Sequence, residues 1–121
     1  VIAGLEYAKT LNVDIVNLSF GGLLPNGREK QAIHHLINTG VQVVASAGNF
    51  GNNLDKKCNF FPACYDTRII VIGNLASTSN YGKIVDEVVD GENKRALGLM
   101  LSGSSQSAAI YTGRLLKGTA Q

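Results

Sequence analysis

The sequence predicts an α/β fold, a three-layer arrangement in which a mostly parallel sheet carries helices on both faces. Three observations predict it: near-continuous apolar runs typical of buried strands, amphipathic segments between those runs, and Gly or Asn residues where the runs stop. Right-handed crossovers would place such strands parallel to one another. Because no internal repeat or low-complexity tract divides the chain, we treat residues 1–121 as a single unit.

The first part of the chain alternates between helix and strand patterns. Residues 1–11 place apolar side chains on one helical face without a capping residue, so we expect the chain to begin inside an element of a longer protein. Residues 14–19 form a short apolar run before a glycine pair, which predicts a buried strand. Residues 28–38 predict the clearest helix, with one apolar face and Gly40 positioned to end it.

The second part predicts three more strands and a final helix. Residues 41–47 and 68–73 are rich in β-branched side chains, and residues 96–101 predict a last strand that leads into a serine-rich turn. A helix then follows Gly103, which permits a sharp turn and a close approach by another chain. Small side chains recur on it at three- and four-residue spacing and predict its packing face: Ser105, Ala109, Thr112, Gly113 and Leu116.

Composition excludes several classes of partner. The 11 basic and 9 acidic residues are scattered, so we expect neither nucleic acid nor an anionic membrane surface as a partner. No apolar run reaches the ~18 to 20 residues that a membrane span needs. His34 and His35 are expected to be solvated helix residues, and with two cysteines they supply too few ligands for a metal site, so no metal is expected.

Cys58 and Cys64 are separated by five residues in a predicted loop. They can close a short disulfide or remain two thiols, and the sequence leaves both alternatives open. A disulfide would indicate a secreted protein or another oxidising compartment.

Polar and glycine residues follow three of the predicted strands. In an open α/β sheet, ligands bind beyond the carboxyl ends of the strands, where Ser19-Phe20-Gly21, Gly48-Asn49 and Ser105 are all expected. A glycine-containing edge can bind an extended peptide through main-chain hydrogen bonds. Ser105 is the candidate nucleophile, since free N–H groups at the start of a helix can stabilise a developing oxyanion.

Residues 102–113 resemble the nucleophile motif of the subtilisin-like serine proteases, Gly-Thr-Ser-x-Ala-x-Pro-His-x-Ala-Gly. Gly103, Ser105 and Gly113 are in register with it. Ser104 stands where the family has Thr, and Ala109-Ile110 replaces its Pro-His pair. The resemblance implies that Ser105 is the nucleophile of a serine endopeptidase.

Two upstream stretches carry the same resemblance in the expected order. Residues 13–22 are similar to the segment that lines the S1 and S4 subsites, and residues 44–49 resemble the Ala-Ala-Gly-Asn motif. By this resemblance Asn49 donates to the oxyanion together with the Ser105 N–H. It also implies that a polypeptide substrate contacts Ser19, Phe20, Gly21, Ala47, Gly48 and Ser104.

The resemblance also implies what the chain lacks. In this family the catalytic Asp and His precede the Ser, so both would lie before Val1. We expect the chain to be the carboxyl-terminal part of a catalytic domain, inactive alone, which associates with the missing amino-terminal part or with itself. No cofactor is expected, and the sequence leaves a structural calcium ion open.

Two other functions compete with proteolysis. A non-catalytic relative could retain the fold as a binding or scaffolding module, which the altered Pro-His pair favours. A nucleotide-binding domain is suggested by Ala47-Gly48-Asn49-Phe50-Gly51 after a strand, but the sequence lacks both the Gly-x-Gly-x-x-Gly spacing and a P-loop lysine.

Overall fold

A computed structural model describes residues 1–118 of the chain. These residues form three α-helices, six strands and one short 3₁₀-helix at Ala63–Tyr65. The helices are α1 (Ile2–Thr10), α2 (Gly27–Asn38) and α3 (Ser104–Leu116). The strands are β1 (Ile15–Leu18), β2 (Gln42–Ser46), β3 (Ile70–Asn74), β4 (Glu87–Val89), β5 (Lys94–Ala96) and β6 (Leu99–Leu101).

The central sheet is parallel and has the strand order β1-β2-β3-β4. Helices α1 and α2 pack against each other over one face, and α3 packs across all four strands on the other. The prediction of a three-layer α/β fold with helices on both faces is confirmed.

Alternation along β2 explains how one strand serves two cores. Val43 and Ala45 belong to the cluster that contains Leu36 of α2, whereas Val44 belongs to the cluster that contains Ala108 of α3. Successive side chains of a strand point to opposite faces, so the apolar run from Val43 to Ala45 fills both layers at once. Both faces of β2 are therefore buried, which explains why its central residues form a continuous hydrophobic run.

Helix α2 begins and ends where its residues favour it. The Asn26 side chain accepts hydrogen bonds from the N–H groups of Arg28 and Glu29, which would otherwise have no partner within the helix. After the helix, Gly40 has a φ of +94°, in the left-handed region that glycine adopts readily.

The prediction of a single strand over residues 96–101 is wrong. Leu97 and Gly98 have φ values of +51° and +79°, and this turn folds the segment into an antiparallel hairpin of β5 and β6, outside the main sheet. The fourth position of the main sheet is filled instead by β4, where no strand was predicted.

The predicted packing face of α3 is also wrong, by about one residue. Ala109 is exposed and Leu116 is 72% exposed, whereas Ser107 and Ala108 are buried. Helix orientation is fixed in part by Ser107, whose hydroxyl donates to the Val89 carbonyl at 2.6 Å. The helix therefore faces the sheet with a different row of small side chains from the predicted one.

Cys58 and Cys64 form a disulfide with their Cα atoms 5.7 Å apart. It closes the loop that precedes the 3₁₀-helix, and within this loop the Phe61–Pro62 peptide bond is cis. Over residues 1–118, none of the helices has the length and apolar character required to cross a membrane.

Candidate active site

Two loops meet at the carboxyl edge of the sheet. Residues 19–21 follow β1 and residues 47–49 follow β2, and the parallel register pairs Leu18 with Ala45, so the two strands end side by side. The amino terminus of α3 lies against the second loop through the contacts given below. The site is thus assembled from segments far apart in the sequence.

Ser104 fastens the start of α3 to the loop after β2. Its hydroxyl oxygen accepts a hydrogen bond from the Gly48 N–H at 3.0 Å, and its own N–H donates to Asn49 Oδ1 at 2.8 Å. Ser104 is fully buried, so the bond from the Gly48 N–H to its hydroxyl is protected from water. We call these two hydrogen bonds, from Gly48 to Ser104 and from Ser104 to Asn49, the Ser104 latch. The next residue along the helix is Ser105, which the latch holds close to Asn49.

The same latch orients the Asn49 side chain. Because the Ser104 N–H requires an acceptor, the amide oxygen of Asn49 must face the helix, and the amide nitrogen is the atom left to donate elsewhere. Asn49 is exposed, so this nitrogen is available to a ligand. The geometry provides a donor of fixed direction beside Ser105.

Gly103 permits this close approach. Its φ of +140° is one that residues with side chains rarely adopt, and a Cβ at this position would lie 3.1 Å from Asn49 Nδ2. Its N–H donates to the Gly91 carbonyl at 3.1 Å, which joins the start of α3 to the segment after β4. A glycine is therefore needed for both the turn and the packing.

Ser105 lies in the first turn of α3, half-buried, at the edge of a cavity of about 330 Å³. N–H groups of a first helical turn have no partner within the helix, and the helix dipole adds positive potential there. The cavity is lined by Ser19, Phe20, Gly21, Ser46, Gly48, Asn49, Phe50, Phe60 and Ser105.

The structure brings together six of the eight predicted site residues. Ala47 and Ser104 are fully buried and do not line this cavity, and a contact of either residue with substrate stays a prediction. Ser104 is the latch described above. Ala47 uses its carbonyl to accept a hydrogen bond from Asn80 Nδ2 at 2.8 Å.

Asn80 is a residue that sequence reasoning missed. It is 2% exposed, and its Oδ1 accepts from the N–H groups of Phe50 and Asn52 at 3.1 and 2.9 Å. Its backbone N–H donates to the Gly48 carbonyl at 2.8 Å. Asn80 therefore holds both sides of the loop that carries Asn49, a role that no local sequence pattern indicates.

His34 takes part in a separate cluster of charged groups on the α2 side. Its Nε2 lies 3.1 Å from Asp66 Oδ2, and the Arg68 guanidinium donates to both carboxylate oxygens of Asp66. Hydrogen bonding by Arg68 lowers the pKa of Asp66 to about 2, with the nearby His34 adding to the effect. Among the described residues, no cluster of His, Cys, Asp and Glu side chains could hold a metal ion.

A parallel α/β sheet that presents a serine at a helix start, beside the amide of an asparagine, has the architecture of a class of serine proteases. The sequence profile of the Subtilase family, Peptidase S8, matches residues 1–117. The chain belongs to the subtilase family of serine proteases, and the resemblance found in its motifs is confirmed.

Two individual relatives are similar to this chain in sequence. The chain is 35% identical over 96 residues to thermitase of Thermoactinomyces vulgaris, covering 75% of this chain and 33% of thermitase. It is 32% identical over 128 aligned positions to the major intracellular serine protease of Bacillus subtilis (strain 168), covering 95% of this chain and 40% of that protein.

Solved structures show the same fold. The self-cleaved protease domain of PatA superposes with a TM-score of 0.76 at 23% identity, covering 97% of this chain and 52% of that one. The prenylagaramide maturation protease PagA gives a TM-score of 0.75 at 20% identity, covering 97% and 50%. The chain therefore spans about half the length of these structures and less of the curated relatives.

Proposed function

We propose that this chain is the carboxyl-terminal part of a serine endopeptidase domain and supplies its nucleophile, oxyanion donors and substrate-binding walls. The observation that carries the proposal is the position of Ser105 and Asn49 on one cavity, joined through the buried Ser104. The catalytic aspartate and histidine would come from a segment that precedes Val1, as in the family order Asp, His, Ser.

The reaction follows from these groups. The Ser105 hydroxyl attacks the carbonyl carbon of a peptide bond while the histidine takes its proton, and the carbonyl oxygen becomes an oxyanion. Asn49 Nδ2 and the Ser105 N–H donate to this oxyanion. The C–N bond then breaks, the amine leaves with the proton, and water hydrolyses the acyl-serine ester. The proposed chemistry needs no cofactor.

The open side of the sheet supports a docking site for the missing segment. Among the described strands β1 pairs only with β2, so its other edge has free main-chain groups. Between α1 and this edge strand lies a hollow of about 190 Å³ that is lined almost wholly by apolar side chains: Val1, Leu5, Ala8, Val16, Leu18 and Phe20, with Gly4. An amino-terminal segment would pair with the edge and fill the hollow, and without it the chain would associate with itself.

A non-catalytic binding module is the second candidate, favoured by Ala109-Ile110 in place of the family's Pro-His. Two observations count against this second candidate. Ala109 is exposed on the second turn of α3, and neither residue lines the cavity beside Ser105. The replacement therefore leaves the arrangement of the nucleophile and donor intact.

We also propose an oxidising compartment, because the Cys58–Cys64 disulfide is stable only where thiols are not kept reduced. Family membership does not decide the compartment, since one relative is named an intracellular protease.

A fluorophosphonate probe tests the function. In the protein that carries the preceding segment, we expect the probe to bond to Ser105, Ser105→Ala to abolish labelling, and Ser102→Ala to retain it. Ser102 is an exposed serine that does not line the cavity, so it is the matched control. Residues 1–121 alone should not hydrolyse peptides appreciably. An unlabelled Ser105 in the intact protein would favour the binding module.

A further inference from the structure

The ring of Phe60 lies between the two walls of the cavity. Phe60 is only 5% exposed. A Cβ on Gly21 would collide with one side of the ring, and a Cβ on Gly48 would lie 2.9 Å from its Cε1 atom on the other. The aromatic ring therefore fills the space that these two glycines leave open.

The segment that carries this ring is held in place on both sides. Phe61 exchanges two main-chain hydrogen bonds with Gly22, at 2.8 and 2.9 Å. The Phe60 carbonyl accepts from the Cys64 N–H at 2.9 Å, and the Cys58–Cys64 disulfide closes the loop around it. The position of the ring is thus fixed by covalent and main-chain contacts.

We propose that Phe60 restricts the substrate residue directly before the scissile bond to Gly, Ala or Ser. This inference rests on the proposed function, because a carbonyl carbon held at Ser105 would place that residue's side chain in the cavity, between residues 19–21 on one side and Ser46 and Gly48 on the other. Phe60 forms the inner end of this gap, and Phe50 packs edge-on against it with ring centroids 6.2 Å apart. A large side chain would have to displace a buried ring.

The lining also disfavours charged side chains. The described residues around the cavity are serines, glycines, phenylalanines and one asparagine, with no ionisable group among them. A charged substrate side chain would lose its water there without gaining an opposite charge. The selected side chains are therefore both small and uncharged.

The size of the selectivity follows from packing. One methylene too many in a well-packed pocket changes kcat/KM by about 10- to 200-fold. A phenylalanine side chain exceeds the proposed limit by several carbon atoms. We therefore expect discrimination of at least about 100-fold between Ala and Phe at this substrate position.

Peptidyl diphenyl phosphonates test this directly in the intact protein with its preceding segment. The serine oxygen bonds to phosphorus and phenol leaves, so the rate of labelling of Ser105 reports how well each side chain fits. Two probes that differ only in carrying Ala or Phe next to phosphorus are compared. The wild-type protein should react at least about 100-fold faster with the Ala probe.

Variants then assign the effect to the ring. Phe60→Ala should bring the two rates together or reverse their order, and the milder Phe60→Leu should give an intermediate ratio. Phe61→Ala is the matched control, since Phe61 is in the same loop but packs on Tyr65, with centroids 5.0 Å apart, outside the cavity. It should retain the wild-type ratio.

The possible outcomes distinguish failure of the selectivity proposed for Phe60 from failure of the proposed protease function. Equal or faster labelling of the wild type by the Phe probe overturns the inference, while reaction with either probe still supports the proposed protease. An unchanged ratio in a folded Phe60→Leu or Phe60→Ala protein also overturns it. A protein that reacts with neither these probes nor a simple fluorophosphonate overturns both.

Discussion

Asn49 has a donor and an acceptor on one amide group, and the two atoms have different partners. Its Oδ1 accepts from the Ser104 N–H at 2.8 Å and fixes the loop to α3. Its Nδ2 is the proposed oxyanion donor. A substitution can therefore remove the donor while the structural contact remains.

Asn49→Asp removes the donor and keeps the acceptor. The carboxylate still accepts from the Ser104 N–H, but it cannot donate to an oxyanion and adds a negative charge beside it. We expect kcat of the intact protein to fall by at least about 100- to 1,000-fold, the cost established for the equivalent donor in subtilisin, with little change in thermal stability. Steady-state kinetics and a melting curve measure the two effects.

Asn49→Ala removes both functions and should lower activity and stability together. The control is Asn59→Ala, at an asparagine that does not line the cavity. If Asn49→Asp retained wild-type kcat, Asn49 would not be an oxyanion donor.

At the residue scale, sequence patterns were sufficient to predict that Ser105 and Asn49 lie together, and both line one cavity. Ser105 and Asn49 stand in short motifs, and their loops follow predicted elements, so local pattern and order along the chain were sufficient. Asn80 and Phe60 carry no such signal, because their roles depend on contacts with residues that are distant in sequence. A buried asparagine and a buried aromatic ring have ordinary local sequence environments.

The loop after β2 depends on a second element for its shape. Asn80, between β3 and β4, makes three side-chain hydrogen bonds to the main chain of this loop, at the Ala47 carbonyl and the Phe50 and Asn52 N–H groups. The loop cannot satisfy these groups alone. Its conformation is therefore a property of two elements.

Asn80→Ala should destabilise the protein by about 2 to 4 kcal/mol, since one buried and two part-buried main-chain groups would lose their partners. It should also slow the labelling of Ser105, because Asn49 would no longer be held in place. Chemical denaturation and probe kinetics measure these effects. Asn52→Ala, at an exposed asparagine of the same loop, should change neither, and an equal effect of both substitutions would contradict the account.

At the element scale, the sequence predicted α1, α2, β1, β2 and β3 within a few residues of their observed bounds. Helix α2 has a clear amphipathic pattern, and the three strands are short apolar runs that stop at polar or glycine residues. The region from β4 to β6 was misread because its strands have three residues each, too few for a pattern, and β6 is exposed along its length. The face of α3 was misread because buried serines interrupt the apolar stripe.

Stability of the whole molecule should depend on pH through Asp66. This carboxylate joins α2 to the segment before β3, contacting His34 and Arg68. Its pKa is lowered from 3.8 to about 2, mainly by hydrogen bonding from Arg68. The folded state therefore binds the proton less tightly than the unfolded state, and the contribution is fully present above pH 3.8 and disappears as the pH falls towards 2.

We expect Asp66→Asn to lower the free energy of unfolding by about 1 to 2 kcal/mol at neutral pH, after allowance for solvent screening. The difference from wild type should shrink as the pH falls towards 2 and disappear at lower pH, where Asp66 is protonated in both states. Denaturant unfolding at a series of pH values measures it. Asp14→Asn, at an exposed aspartate, is the control, and a difference that persists unchanged at pH 2 would contradict the prediction.

The latch between Ser104 and the loop after β2 joins residues 55 positions apart in the chain. A nascent or partly unfolded polypeptide can contain both the nucleophile and its amide partner without bringing them together. The proposed proteolytic activity would thus require α3 to be packed on the sheet. It would be lost as soon as the two separate. Under the proposed function, a chain that is still unfolded would therefore have no proteolytic activity of its own.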